Sequence, residues 1–156
     1  MTDAPIPPFQ AFMDQQRARV YRFLVAAVGS VDADDAFQET FLSALRAYPR
    51  LEHGQHLDRW ILRIASRTAI DHHRARARRP TPVERLPEAE TIDPGPPDDD
   101  LWAAVRGLPP RQRVAVVLRH VMDRPYEEIA DALGIAHDAA RANVYQGMRK
   151  LRETMG

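Results

Sequence analysis

Cysteine is absent from the 156 residues, which rules out a disulfide framework or a thiolate metal site and suits a reducing compartment. Long apolar runs are missing too. No stretch approaches the roughly 18 residues that a bilayer span needs, and the start, MTDAPIPPFQ, has no cationic segment followed by an apolar one. Neither secretion nor membrane insertion is expected, which leaves the cytoplasm as the default. There is no G-x-S-x-G and no phosphate-cradling glycine loop, and the carboxylates do not fall into recognisable pairs. The chain is therefore read as not an enzyme. His53 and His56 flank a glycine in a loop, while His72 and His73 are adjacent on a helix and point apart. No metal and no cofactor is expected.

The formal net charge is zero, but this average hides a strong separation along the chain. Between Arg59 and Arg85 eight arginines face only Asp71 and Glu84, whereas Leu86 to Asp100 holds six acids and no cation. The first 58 residues are acidic, with Asp32, Asp34, Asp35 and Glu39 close together, and the segment after Asp100 is basic. An acidic front and a basic back imply more than one partner.

Phe9, Phe12, Val20, Phe23, Leu24 and Ala27 recur at helical spacing and Gly29 supplies a stop, which predicts a first helix over Phe9 to Val28. Met1 to Pro8, with three prolines, reads as a mobile lead-in. Asp32 is a candidate N-cap for a second helix. Its buried stripe is expected to run through Ala33, Ala36, Phe37, Thr40, Phe41, Ala44, Leu45 and Tyr48 until Pro49. After a loop, Asp58 to Arg79 forms the third helix, with Leu57, Trp60, Ile61, Ile64, Ala65 and Thr68 on one side and Arg59, Arg63, Arg67 and Arg74 on the other. Three amphipathic stripes close one core over residues 9–79. Pro80 to Pro97 carries six prolines and four acids, so 80–98 reads as a flexible acidic linker. Four further helices over 99–154 make the second unit. The fold class is thus all-α, in two small helical domains.

Near the end, two short helices joined at Gly134 fit a helix-turn-helix, the second carrying Arg141, Asn143, Tyr145, Gln146, Arg149 and Lys150 off its buried side. Such a helix presents donors to base edges and phosphates in the major groove. An ordinary helical hairpin has the same outline, just as the arginines of the third helix could be a solvated surface. Together the two features point to a reader of nucleic acid.

In order, the segments DADDAFQETFLSALRAY (Asp32 to Tyr48), RWILRIASRTAIDHHRAR (Arg59 to Arg76), LPPRQRVAVVLRHVMDRPYEEIADALGI (Leu108 to Ile135) and MRKLRE (Met148 to Glu153) resemble bacterial RNA polymerase sigma factors of the extracytoplasmic-function type. The resemblance covers nearly the whole chain. It implies a promoter-specificity subunit whose second helix docks on core RNA polymerase through Asp35, Gln38 and Glu39. It implies that Leu51, Glu52, His53 and Gly54, with Arg63, Ser66, Arg67 and Arg74, capture the separated strand of the promoter −10 element. The helix-turn-helix would read promoter DNA at the −35 element through His137, Arg141, Asn143 and Arg149, and an anti-sigma factor is an expected partner.

The chain departs from the family pattern in three places, one of them Ala139 to Asn143, where AARAN replaces a common threonine-valine-lysine-serine-arginine pattern. Ser66 stands where asparagine is usual, in the middle of the face expected to be exposed, and Gln146, Gly147 and Met148 replace a typical arginine-alanine-arginine run. Alternatives are a stand-alone helix-turn-helix regulator and a sigma-mimicking adaptor.

Overall fold

A computed structural model describes the backbone of residues 4–78 and 100–155, with side chains to residue 72 in the first stretch. The expected linker at 80–98 and the side chain of Arg74 lie outside these residues. Among the described residues there are seven α-helices and no strand: α1 Phe9–Val28, α2 Ser30–Ala47, α3 Leu57–Arg78, α4 Asp100–Arg106, α5 Pro110–Val116, α6 Tyr126–Leu133 and α7 His137–Met155. A 3-10 turn, Tyr48–Arg50, ends α2, and a π turn, Val117–Val121, extends α5.

Helices α1 and α2 are separated by Gly29 alone, whose φ of 92° reverses the chain. The second helix therefore starts earlier than its acids suggest. Gly29 holds the N-cap position without a side-chain bond, and Asp32 sits in the first turn, buried, its carboxylate 3.8 Å from the His72 imidazole. In the second unit Pro110 occupies the first turn of α5, where its missing N–H removes no helical bond. Gly134 closes α6 in the left-handed conformation.

The N-terminal core is built on Phe12, Phe23, Leu24 and Ile61, all fully buried, and the C-terminal core on Val114, Val117, Leu118 and Ile129. Each such side chain contributes roughly 1.5–3 kcal/mol by leaving water. The two units then pack on each other. Helix α3 lies between them, against α1 and α2 on one side and α5 and α6 on the other, while α1 also meets α4 and the π turn.

This double covering changes the reading of α3. Leu62, Ser66 and Ala69 are 3%, 0% and 2% exposed, although only the Trp60/Ile61/Ile64 stripe is expected to be buried. At about 100° per residue Ser66 projects between Arg59 and Leu62, and Leu62 faces Leu118 and Ala132 of the second unit. Ser66 is therefore a core residue and not part of an exposed face, and its Oγ has no hydrogen-bond partner.

A buried arginine ties the two units together. The Arg113 guanidinium donates to the carbonyl of Leu108, just past α4, at 3.0 Å and to that of Ala27, in the last turn of α1, at 3.2 Å. Helix-end carbonyls lack partners within their own helix and attract cations, so one side chain caps the end of α1 while holding the connection between α4 and α5. Burial, then the like charge of Arg106, pulls its pKa down to about 10.

Candidate nucleic-acid interface

The outward side of α2 follows from its register. With Ala33, Ala36, Thr40, Phe41 and Ala44 buried, Asp34, Asp35, Gln38 and Glu39 are exposed. Two leucines join them: Leu42 and Leu45 are 51% and 49% exposed. Leu45 thus does not belong to the buried stripe. Asp35, Gln38, Leu42 and Leu45 follow one another at helical spacing along one line, an acidic end leading to an apolar one. Sequence reasoning found the polar half of this line and missed the leucines, whose signal was two large apolar residues next to Gln38 and Glu39 rather than opposite them.

A groove of about 520 Å³ separates α2 from α3 and is lined by Glu39 and Arg46 on one wall and Arg63, Arg67 and Asp71 on the other. The acidic face and the arginine face therefore meet along a shared edge. Arg63 and Arg67 are exposed. Arg63 also reaches into the second unit, its Nη2 lying 3.1 and 3.4 Å from the two carboxylate oxygens of Asp131.

Around it a charged seam joins the units. Arg124 Nη1 lies 3.8 Å from Asp58 and 3.1 Å from Glu128, and Glu128 is 4.0 Å from Arg59. Arg19 of α1 donates to the Asp58 carbonyl at 3.4 Å. Burial, and next the charge of Arg124, lowers the Arg19 pKa.

The loop between the 3-10 turn and α3 stands over a second cavity, of about 410 Å³, whose walls include Leu51, Glu52, His53, Trp60 and Arg63, with Asp131 at its edge. His53 Nδ1 accepts a bond from the Gln55 N–H at 3.2 Å, which stiffens the loop. His56 takes a φ of 58°. Gly54, alone of the four expected loop residues, does not line the cavity; its N–H donates to the Ala4 carbonyl at 2.8 Å. The lead-in expected to be mobile is thus held here over Ala4–Pro8.

At the other end of the molecule α7 buries Ala140, Val144, Gly147 and Leu151. Gly147 is where the helix touches α5, since a Cβ there would lie 2.6 Å from a Val116 methyl. That accounts for one departure in the recognition helix by packing. The four expected contacts differ in readiness. His137 and Arg141 are exposed and converge on Tyr126, the imidazole edge-on at 6.1 Å and the guanidinium 5.3 Å from the ring centroid, with Arg119 at 4.3 Å on the same ring. Asn143 is half-buried and donates its amide to the Ala139 carbonyl at 2.9 Å. Arg149, about 12 Å further along the helix from Arg141, pairs with Glu153 at 3.5 Å. Tyr145 is 62% exposed between them.

Among the described residues no helix is long and apolar enough to cross a membrane, and no three metal-ligating side chains form a cluster.

The chain matches Sigma-70 region 2 over residues 12–79 and Sigma-70 region 4 over residues 98–151. It is 34% identical to the RNA polymerase sigma factor CarQ of Myxococcus xanthus, over 95% of this chain and 89% of the relative. It is 32% identical to the ECF RNA polymerase sigma factor SigE of Mycolicibacterium smegmatis, over 96% of this chain and 62% of that relative's length. In fold it is similar to the sigma factor RpoE solved with the anti-sigma factor NepR from Bartonella quintana, with a TM-score of 0.74 at 20% identity over 94% of this chain and 96% of that one. CnrH, solved with the cytosolic domain of CnrY, gives a TM-score of 0.66 at 17% identity over 94% and 86%. Region 2 over the arginine-faced helix and region 4 over the helix-turn-helix, with relatives matched along nearly all of the chain, make this a member of the extracytoplasmic-function family of RNA polymerase sigma factors.

Proposed function

We propose that the chain directs core RNA polymerase to a subset of promoters, performing no covalent chemistry of its own. The observation that carries this is the shared edge between the α2 face and the exposed arginines of α3, which lets one small unit hold the enzyme and a DNA strand side by side. Residues 9–79 form the docking and −10 unit and 99–154 the −35 unit, joined through 80–98. Asp35, Gln38 and Glu39, extended by Leu42 and Leu45, dock on polymerase. Arg63 and Arg67 take phosphates of the separated strand, and the loop that carries Gly54 walls, through Leu51, Glu52 and His53, the cavity that receives a base. His137, Arg141 and Arg149 meet duplex DNA at the −35 element, with Asn143 offering its oxygen and one N–H while its other N–H stays on Ala139.

Arg63 exchanges Asp131 for phosphate, so α6 withdraws from α3 when a strand binds. An anti-sigma factor, the partner type solved with RpoE, is a natural ligand of the closed arrangement.

The test is run-off transcription with purified core polymerase, with and without the chain, on a fragmented bacterial genomic library. Chain-dependent initiation from a discrete subset is expected, and Arg63→Ala with Arg67→Ala should reduce it while polymerase binding persists. Failure to initiate anywhere above core enzyme alone would refute the proposal.

A further inference from the structure

The segment Ala4–Pro8 meets the loop after α2 through main-chain atoms. The Gly54 N–H donates to the Ala4 carbonyl at 2.8 Å. A Cβ built on Gly54 would lie 2.1 Å from the Pro5 carbonyl oxygen and 2.8 Å from its carbon. Both are backbone atoms of a proline-fixed segment, so no rotamer change relieves the clash. Glycine is required here by close approach.

A second tie lies toward the other end of the segment, where the Tyr48 hydroxyl donates to the Pro7 carbonyl; burial raises the Tyr48 pKa, which keeps that donor protonated. Tyr48 belongs to an aromatic group with Phe9, Phe12 and Trp60, at centroid separations of 5.0, 5.4 and 6.0 Å from its own ring. Trp60 lines the loop cavity. The segment thus backs the loop on one side while the cavity opens on the other.

We propose that Ala4–Pro8 is a positioning strap that fixes loop 51–56 as the wall of the cavity, with Gly54 as the residue that admits it. The strap touches no DNA. It removes in advance the freedom the loop would lose on closing over a base, so strand capture starts from a formed site. This rests on the reading of the loop as the strand-capturing element.

The experiment uses three variants of the full chain: deletion of residues 1–6, Gly54→Ala, and both together. In the free chain, amide hydrogen exchange at Gly54 reads the strap contact without reference to function. Protection is expected in the parent and lost on deletion; equal exchange in the two would overturn the strap. Bound to core polymerase, each chain is then used to enrich sequences from a pool of short random single-stranded DNA. The deletion and Gly54→Ala should each lower enrichment of the parent's preferred sequence about tenfold, the scale of one hydrogen bond and its ordering, with polymerase affinity unchanged. The double variant should lose no more than either single one. Additive losses would mean that Gly54 serves the strand directly, overturning the proposal. If the parent enriches no sequence while Gly54 is protected, it is the function assigned to the loop that fails, and a strap positioning a strand-capturing loop fails with it.

Discussion

Replacing Arg113 by alanine should separate the coupling of the two units from the stability of each. The wild-type guanidinium makes charge-assisted bonds that include those to the Ala27 and Leu108 carbonyls, each contributing roughly 1.5–3 kcal/mol. Against this stands the cost of keeping a cation at 3% exposure beside Arg106, the same cost that lowers its pKa to about 10. Alanine removes that cost but leaves two carbonyls short of donors and a cavity where the side chain lay. The bonds and the cavity outweigh the relief, and a net loss of about 3 kcal/mol is expected, equivalent to a fall in Tm of about 6–12 °C for a chain of this size.

Urea unfolding followed by circular dichroism measures it. Because Arg113 spans the interface, the transition should also broaden as the halves begin to melt separately. A loss below about 0.5 kcal/mol, within the range of an ordinary surface change, would refute the reasoning. In its pH dependence the folded state releases the Arg113 proton first. The unfolded chain then holds the extra proton, and this residue's contribution to stability rises as pH climbs above about 10 toward the ordinary arginine range.

Ser66→Ala should leave stability unchanged or raise it by about 0.5 kcal/mol, since it deletes a buried hydroxyl that has no partner; a loss above about 1 kcal/mol in thermal melts would contradict the assignment. Asp131→Asn should tighten holoenzyme binding to single-stranded DNA about two- to fivefold, the scale of a half-exposed ion pair, as measured by fluorescence anisotropy; weaker binding would show that Asp131 helps the strand. Leu42→Ala with Leu45→Ala should weaken polymerase binding at least as much as Asp35→Ala with Glu39→Ala while leaving the melting temperature unchanged. Undiminished affinity in a pull-down titration would remove the leucines from the docking line.

What the sequence made legible was whatever local periodicity encodes. The limits of α1, the stop at Gly29, the break at Gly134 and the Trp60/Ile61/Ile64 stripe of α3 all depend on neighbours within two turns. The misplacements share a different cause. Ser66 and Leu62 are buried by α5 and α6, some fifty residues away in sequence, and a period reports one covered face but not a second. Leu45 reads as buried because it is apolar, yet its azimuth belongs with Leu42 on the open side. Asp32 looked like a cap because acids favour helix starts, while the true boundary was set by a single glycine. The strap escaped notice because proline-rich segments carry no periodic signal, and its ties end on main-chain carbonyls that no residue type announces.

The one-residue junction at Gly29 leaves no loop that could satisfy the final carbonyls of α1, and Ala27 finds its donor on Arg113, 86 positions downstream. An architecture that looks modular is therefore not freely interchangeable. Grafting the C-terminal half of a relative onto this N-terminal half would leave a helix end open unless the graft brings an arginine to the same place. Designers of chimeric transcription factors should treat that contact, rather than the stretch between the halves, as the true boundary of exchange.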